Sequence, residues 1–292
     1  MRRSLREPIA RSAYEGAAEG HRRLDYGLVS KNVTFPLSDP THPAHAAFRD
    51  TVLRNVAGNE SILDQYKDVL PSALTEIARQ TPTILGLVRG ARGRGATALT
   101  KNLANSRVGN GFAYELLGTA ALIQQNRVAG AGSKPTNGGR MLQIFSTDRI
   151  DLGVRMPAQP GAKDSEQGFF RPASPRSPSK FRATFEADLM ITRENGPFSW
   201  QTIGVDFKHA KQGGSYASDT RNTQSQLQAV ANGIMRGEMN MTEFHYATNG
   251  VFHPGFKASV DAMNSHINAQ MGRSEGQPPL ICVHEHHQYP LG

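Results

Sequence analysis

Two acids and a lysine lie at spacings that strand geometry can bring together in the run FEADLMITRENGPFSWQTIGVDFKHAK, residues 185–211. Side chains alternate between the two faces of a strand. Glu186, Asp188 and Met190 therefore fall on one face and Ala187, Leu189 and Ile191 on the other, while Asp206 and Lys208 share a face opposite Val205 and Phe207. Asn195-Gly196 predicts a turn between the two strands. If that turn takes the five residues 195–199, Glu194 faces Trp200 and Asp188 faces Asp206, with Cβ atoms about 5 Å apart. A two-residue Asn-Gly turn would offset the acids by roughly 10 Å at about 3.4 Å per residue. The chemistry thus requires the longer loop or a bulge. Two carboxylates at that distance repel unless a cation sits between them, and Mg²⁺ suits one or two carboxylates with water and phosphate oxygens. Lys208 can reach the same place, where an ammonium orients an attacking water or stabilises developing negative charge. Glu115 is the one acid in GFAYELLGTAALIQQ, residues 111–125, which reads as a helix apolar nearly all round and hence buried. A buried carboxylate is costly alone and tolerable beside a metal or lysine, so Glu115 is the natural third acid.

The elements that must position these residues are strand-like runs at 142–147, 150–156, 185–192, 200–210, 243–248 and 280–287, with helices near 220–236 and 254–269. Their order predicts an α/β core with a mixed sheet. A Pro/Ser/Gly-rich stretch, about 157–180, reads as a mobile loop. Upstream, Ala46, Phe48, Val52 and Val56, and then Ile62, Tyr66, Val69 and Leu70, recur at helical spacing. Residues 1–104 are accordingly expected to be a basic, mostly helical region that could load, bind DNA or meet a partner. The sheet domain then occupies 105–292. Between the two, RGARGRGATALTK has the glycine spacing of a phosphate-binding loop but Ala96-Thr97 where Lys-Ser/Thr is needed, which argues against an ATPase. Arg89, Arg92 and Arg94 on that loop are candidate contacts to a nucleic-acid backbone.

Taken in order, Glu115, Asp188 and Asp206-Phe207-Lys208 resemble the PD-(D/E)XK nuclease superfamily, the restriction-endonuclease-like fold. Residues 224–234, QSQLQAVANGI, resemble that family's glutamine-bearing helix, with Gln224 and Gln226 flanking its apolar stripe. Residues 244–264 resemble the strand-turn-helix that often follows in Mrr-like members. The resemblance spans about 105–290 and implies a central mixed sheet flanked by helices. It also implies metal held by Glu115, Asp188 and Asp206, Lys208 assisting the nucleophile, and Gln226 in the catalytic set. The sequence departs from the pattern in having Ala187 rather than Pro before Asp188, and Asp rather than Glu at 206. The expected activity is Mg²⁺-dependent hydrolysis of phosphodiester bonds, with Mn²⁺ as a substitute and DNA as the expected substrate. Two settings fit: a restriction-type enzyme, or an antibacterial toxin neutralised by an immunity protein. A catalytically silent nucleic-acid- or partner-binding protein of the same fold is the alternative.

Composition bounds these readings. Of 292 residues, 33 are Lys or Arg and 25 Asp or Glu, a formal charge of +8. Residues 1–110 carry 16 basic and 10 acidic side chains, so most of the excess sits in the front half, as suits a polyanion binder. A single cysteine, Cys282, excludes an internal disulfide and a multi-thiolate zinc site. No run approaches the roughly 18 apolar residues of a membrane span. The basic start lacks the apolar stretch of a Sec signal, so a cytoplasmic location or specialised export into a target cell is expected. VHEHHQYP, residues 283–290, admits a competing site. Alternation would put His284 and His286 on one face and Glu285 and His287 on the other, either as exposed imidazoles or as transition-metal ligands of a His-metal nuclease.

Overall fold

A hairpin at the centre of the chain sets the geometry around it. The structure, a computed structural model, describes residues 43–80, 103–106, 108–127, 133–145, 147–155, 170–172, 181–183, 186–196, 199–210, 220–237, 240–274 and 276–289. The hairpin joins strands β4 (Glu186–Glu194) and β5 (Trp200–Lys208). Glu194 pairs with Trp200, so the loop is the five-residue one. Asn195 N–H donates to Ser199 O at 2.8 Å and Ser199 N–H to Gly196 O at 3.1 Å. Gly196 sits at φ 129, where a side chain would be strained.

Strand β1 (Arg149–Arg155) pairs antiparallel with β4, and β6 (Met241–Thr248) and β7 (Ile281–His284) extend the other side in parallel. The result is a five-stranded mixed sheet in the order β1-β4-β5-β6-β7. Parallel neighbours need crossovers. Helices α4 (Thr220–Arg236) and α5 (Pro254–Met271) supply them. Both pack on one face, where Leu227, Val230, Ile234, Phe256 and Val260 join Met190, Phe244 and Tyr246 in one apolar cluster. Helix α5 starts at Pro254 behind the His253 cap, whose Nδ1 accepts from Gly255 N–H at 3.1 Å, and stops at Gly272 in the left-handed region.

The opposite face is covered by α3 (Gly109–Arg127), itself covered by α1 (Pro43–Ala57) and α2 (Asp64–Gln80). Helix α3 is apolar all round because it lies between a sheet and two helices. Val52, Ile62, Leu70 and Ile77 of the front helices share one core with Leu116, Leu117, Leu189 and Val205. The expected α/β architecture with a helical front region is therefore present, with 43–80 packed into the same core as the sheet. Among the described residues, no helix is long and apolar enough to cross a membrane.

Three expectations change. The described residues of 142–147 do not form a strand: Leu142 makes an isolated bridge to Ser133, and the next polar groups are taken by side chains. Arg193 donates to Gln143 O at 2.9 Å and Asp148 Oδ2 accepts from Phe145 N–H at 2.8 Å. The expected loop at 157–180 contains a short strand, β2 (Phe170–Pro172), paired with β3 (Phe181–Ala183) in a separate two-stranded sheet; its other residues lie outside those described. The last strand ends at His284, not at 287.

Close approach of α3 to β5 rests on Gly118, where an added Cβ would lie 2.6 Å from the Phe207 ring. Gly118→Val is expected to destabilise the fold by about 1–3 kcal/mol through overpacking, read as a lower urea midpoint with an unchanged slope.

Candidate functional site

The β4–β5 ladder runs from Glu194↔Trp200 to Leu189↔Val205 and no further. Beyond that point β4 stays with β1 as far as Glu186, while β5 stays with β6 as far as Lys208. The N–H of Phe207 donates instead to Asp188 Oδ2 at 2.6 Å. A carboxylate thus caps a backbone donor at the mouth of the opening between the strands. On the neighbouring position of β5, Asp206 is only 3% exposed and accepts from Lys208 Nζ at 2.7 Å.

Four of the five expected catalytic side chains meet here. Burial, then the fields of Glu115 and Asp206, hold the Asp188 carboxyl well above the usual carboxylate range, and Lys208 only partly opposes them. Asp188 and Asp206 are within hydrogen-bonding contact, so the pair can share a proton. Gln226 is not brought into this group: it lies half-buried on α4 and makes no hydrogen bond among the described residues. Arg89, Arg92 and Arg94 fall outside the described residues, as does the side chain of Gln224.

Some neighbours have no motif to mark them. His209, next after Lys208, lies 5.7 Å from the Tyr66 ring and 6.0 Å from the Tyr114 ring, centroid to centroid. Its Nε2 is buried with no hydrogen-bond partner, and burial lowers its pKa, keeping it neutral. Asn249, at the end of β6, accepts from Ala210 N–H at 2.7 Å and donates to Tyr66 OH at 3.3 Å, tying the end of β5 to α2. The only sequence signal for His209 is its adjacency to the D-x-K triplet.

A second polar group lies on β6 and the edge strand β7. Glu243, His245 and Cys282, all buried, bring ligand atoms within 4.8 Å of one another and can hold a metal ion. Among the described residues this is the three-residue grouping that closes so tightly; Glu115, Asp188 and Asp206 do not form one. Burial alone would lower the His245 pKa, but Cys282 and Glu243 push it up to about 9. Glu243 is held below its usual range despite burial, chiefly by His245 with Arg140 and Arg193 behind it.

The C-terminal histidines depart from the alternating pattern. The strand ends at His284, and His286 adopts φ 54, which turns His287 inward. His284 is 1% and His287 3% exposed, so neither is a surface imidazole. His284 Nδ1 meets Ser133 Oγ at 2.8 Å and His287 Nε2 meets Gly118 O at 2.9 Å. No protein-family model, curated protein or solved structure matches this chain.

Asp188 gives a pH signature. Its native carboxyl binds a proton more tightly than the unfolded one, so it costs nothing below the unfolded pKa and destabilises the fold increasingly as pH rises above it. Asp188→Asn keeps an oxygen for Phe207 N–H and removes that cost. In EDTA the variant is expected to be more stable than the parent near about pH 8, the gap closing toward about pH 4, as followed by urea titrations across pH.

Proposed function

We propose that the chain is a metal-dependent nuclease of the PD-(D/E)XK type that hydrolyses phosphodiester bonds, with DNA as substrate. The observation that carries the reading is the grouping of Asp188, Asp206 and Lys208 where β4 leaves β5, with Glu115 within electrostatic reach and the Asp188 carboxyl raised by burial and then by these acids. Asp188 and Asp206 crowd together there, and a hard divalent cation would offset their repulsion once both are ionised. Mg²⁺, or Mn²⁺ in its place, would be held by Asp188 and Asp206 with Glu115 in or beside the shell. Bound there, it would polarise the scissile phosphate and ease deprotonation of a water.

The protein's own groups do the rest. Phe207 N–H holds one oxygen of Asp188 in place. Asp206 holds the Lys208 ammonium at the same place, where it orients the attacking water and offsets charge building on the phosphate. Gln226, on the crossover helix α4, keeps its place in the catalytic set only through the resemblance of that helix to the family's glutamine-bearing one. The basic front half, including Arg89, Arg92 and Arg94, would hold the phosphates electrostatically. An antibacterial toxin paired with an immunity protein is the setting we favour over a restriction-type enzyme.

Supercoiled plasmid incubated with Mg²⁺ is expected to be nicked, and EDTA to stop the reaction. Asp206→Ala and Lys208→Ala, checked for an unchanged circular dichroism spectrum, should each lose on the order of 10²-fold or more in rate. Cleavage surviving in both folded variants would put the chemistry elsewhere. Metal-independent, salt-sensitive DNA binding with no cleavage of plasmid, single strands or RNA would identify a silent binder of this fold instead.

A further inference from the structure

We infer that Glu243, His245 and Cys282 form a buried site for a borderline-soft divalent ion of the zinc class, separate from the acids of β4 and β5 and independent of the nuclease reading. Strand periodicity puts Glu243 and His245 on one face of β6, and the parallel register sets His245 beside Cys282 of β7. The three are 7%, 1% and 0% exposed. The 133–145 segment closes over them so tightly that a side chain at Gly139 would collide with Cys282 Sγ.

His245 Nδ1 meets His284 Nε2 at 2.7 Å, and His284 Nδ1 meets Ser133 Oγ at 2.8 Å. His245 Nε2 is left facing Glu243 Oε2, 3.8 Å away, and both atoms are buried without a hydrogen-bond partner. That separation is too long for a hydrogen bond. Binding an ion there would displace the protons of His245 Nε2 and of the Cys282 thiol. An ion with bonds of about 2.0–2.3 Å to nitrogen, oxygen and sulfur spans the gap after a small closing of the three ligands.

The donor set also selects the ion. A thiolate, an imidazole and a carboxylate suit Zn²⁺, whereas all-oxygen sites suit Mg²⁺. Glu243 and a Cys282 thiolate together balance two positive charges. The His245–His284–Ser133 chain is the outer support that a ligating histidine typically has through its other nitrogen. All three ligands are buried, so the ion would be structural, tying β6 to β7.

The test uses the full chain expressed with zinc and purified without chelator. We expect about one zinc per chain by atomic emission, lost in Cys282→Ser and His245→Gln variants that keep the parent's circular dichroism. Cobalt-substituted parent protein should show a near-ultraviolet thiolate-to-cobalt band, for which Cys282, the only cysteine, is the sole source. That band decides the matter if a variant fails to fold. Parent protein that stays zinc-free, with the His245 ring doubly protonated by ¹⁵N NMR, would overturn the site. So would zinc retained in both folded variants, or a cobalt complex without the band. None of these readouts involves DNA cleavage.

Discussion

A buried backbone donor must find an acceptor, and at Phe207 the acceptor is a carboxylate. This is the constraint from which the candidate site follows. If β4 had continued along β5, the ladder would have satisfied that N–H and Asp188 would stand as one more side chain on a strand. Because the ladder ends at Leu189↔Val205, Asp188 is drawn into the opening as a hydrogen-bond acceptor. It is then fixed beside Asp206 and within the field of Glu115. The same interaction that completes the backbone bonding crowds the acids. The crowding of these acids is thus built at the expense of the fold.

The layered core makes that arrangement possible. Phe207 packs against α3 at Gly118, so Asp206 and Lys208, on the alternate face of β5, are turned away from that packing. Helix α3 carries Glu115 toward the same end of the sheet, and its own position is fixed on the far side by α1 and α2. Tyr114, one residue before Glu115, donates to His287 O at 2.7 Å, which connects this helix to the chain beyond β7. Elements from the front, middle and end of the described chain therefore converge on a few residues at the C-terminal end of β5.

Much of this was legible in the sequence because it depends on local periodicity. Alternation on β4 and β5 and the five-residue reading of 195–199 were sufficient to place Asp188 against Asp206. The all-round apolarity of 111–125 signalled a helix buried on every side. The failures have a common cause in non-local contacts. Residues 142–147 look like a strand by composition, but Arg193, 50 residues from Gln143, takes a carbonyl that a neighbouring strand would need. The alternation of 283–290 breaks at His286 because the chain turns there to bring His287 against Gly118. Cys282 looked like a lone thiol, since its neighbours Glu243 and His245 are revealed only by the β6–β7 register. Among the described residues no hydrogen bond joins Gln226 to the acids.

The mixed character of the sheet also gives its parts different histories during folding. The β4–β5 hairpin closes a five-residue loop, an event on the scale of about 1–10 μs for isolated hairpins. Pairing β5 with β6 and β6 with β7 requires each crossover helix to be enclosed first, and such long-range closure is slow. Asp188 and Asp206 are thus brought together by a short turn, whereas Cys282 of β7 reaches Glu243 and His245 of β6 only through the crossover. The first polar group is set by a turn and the second by topology.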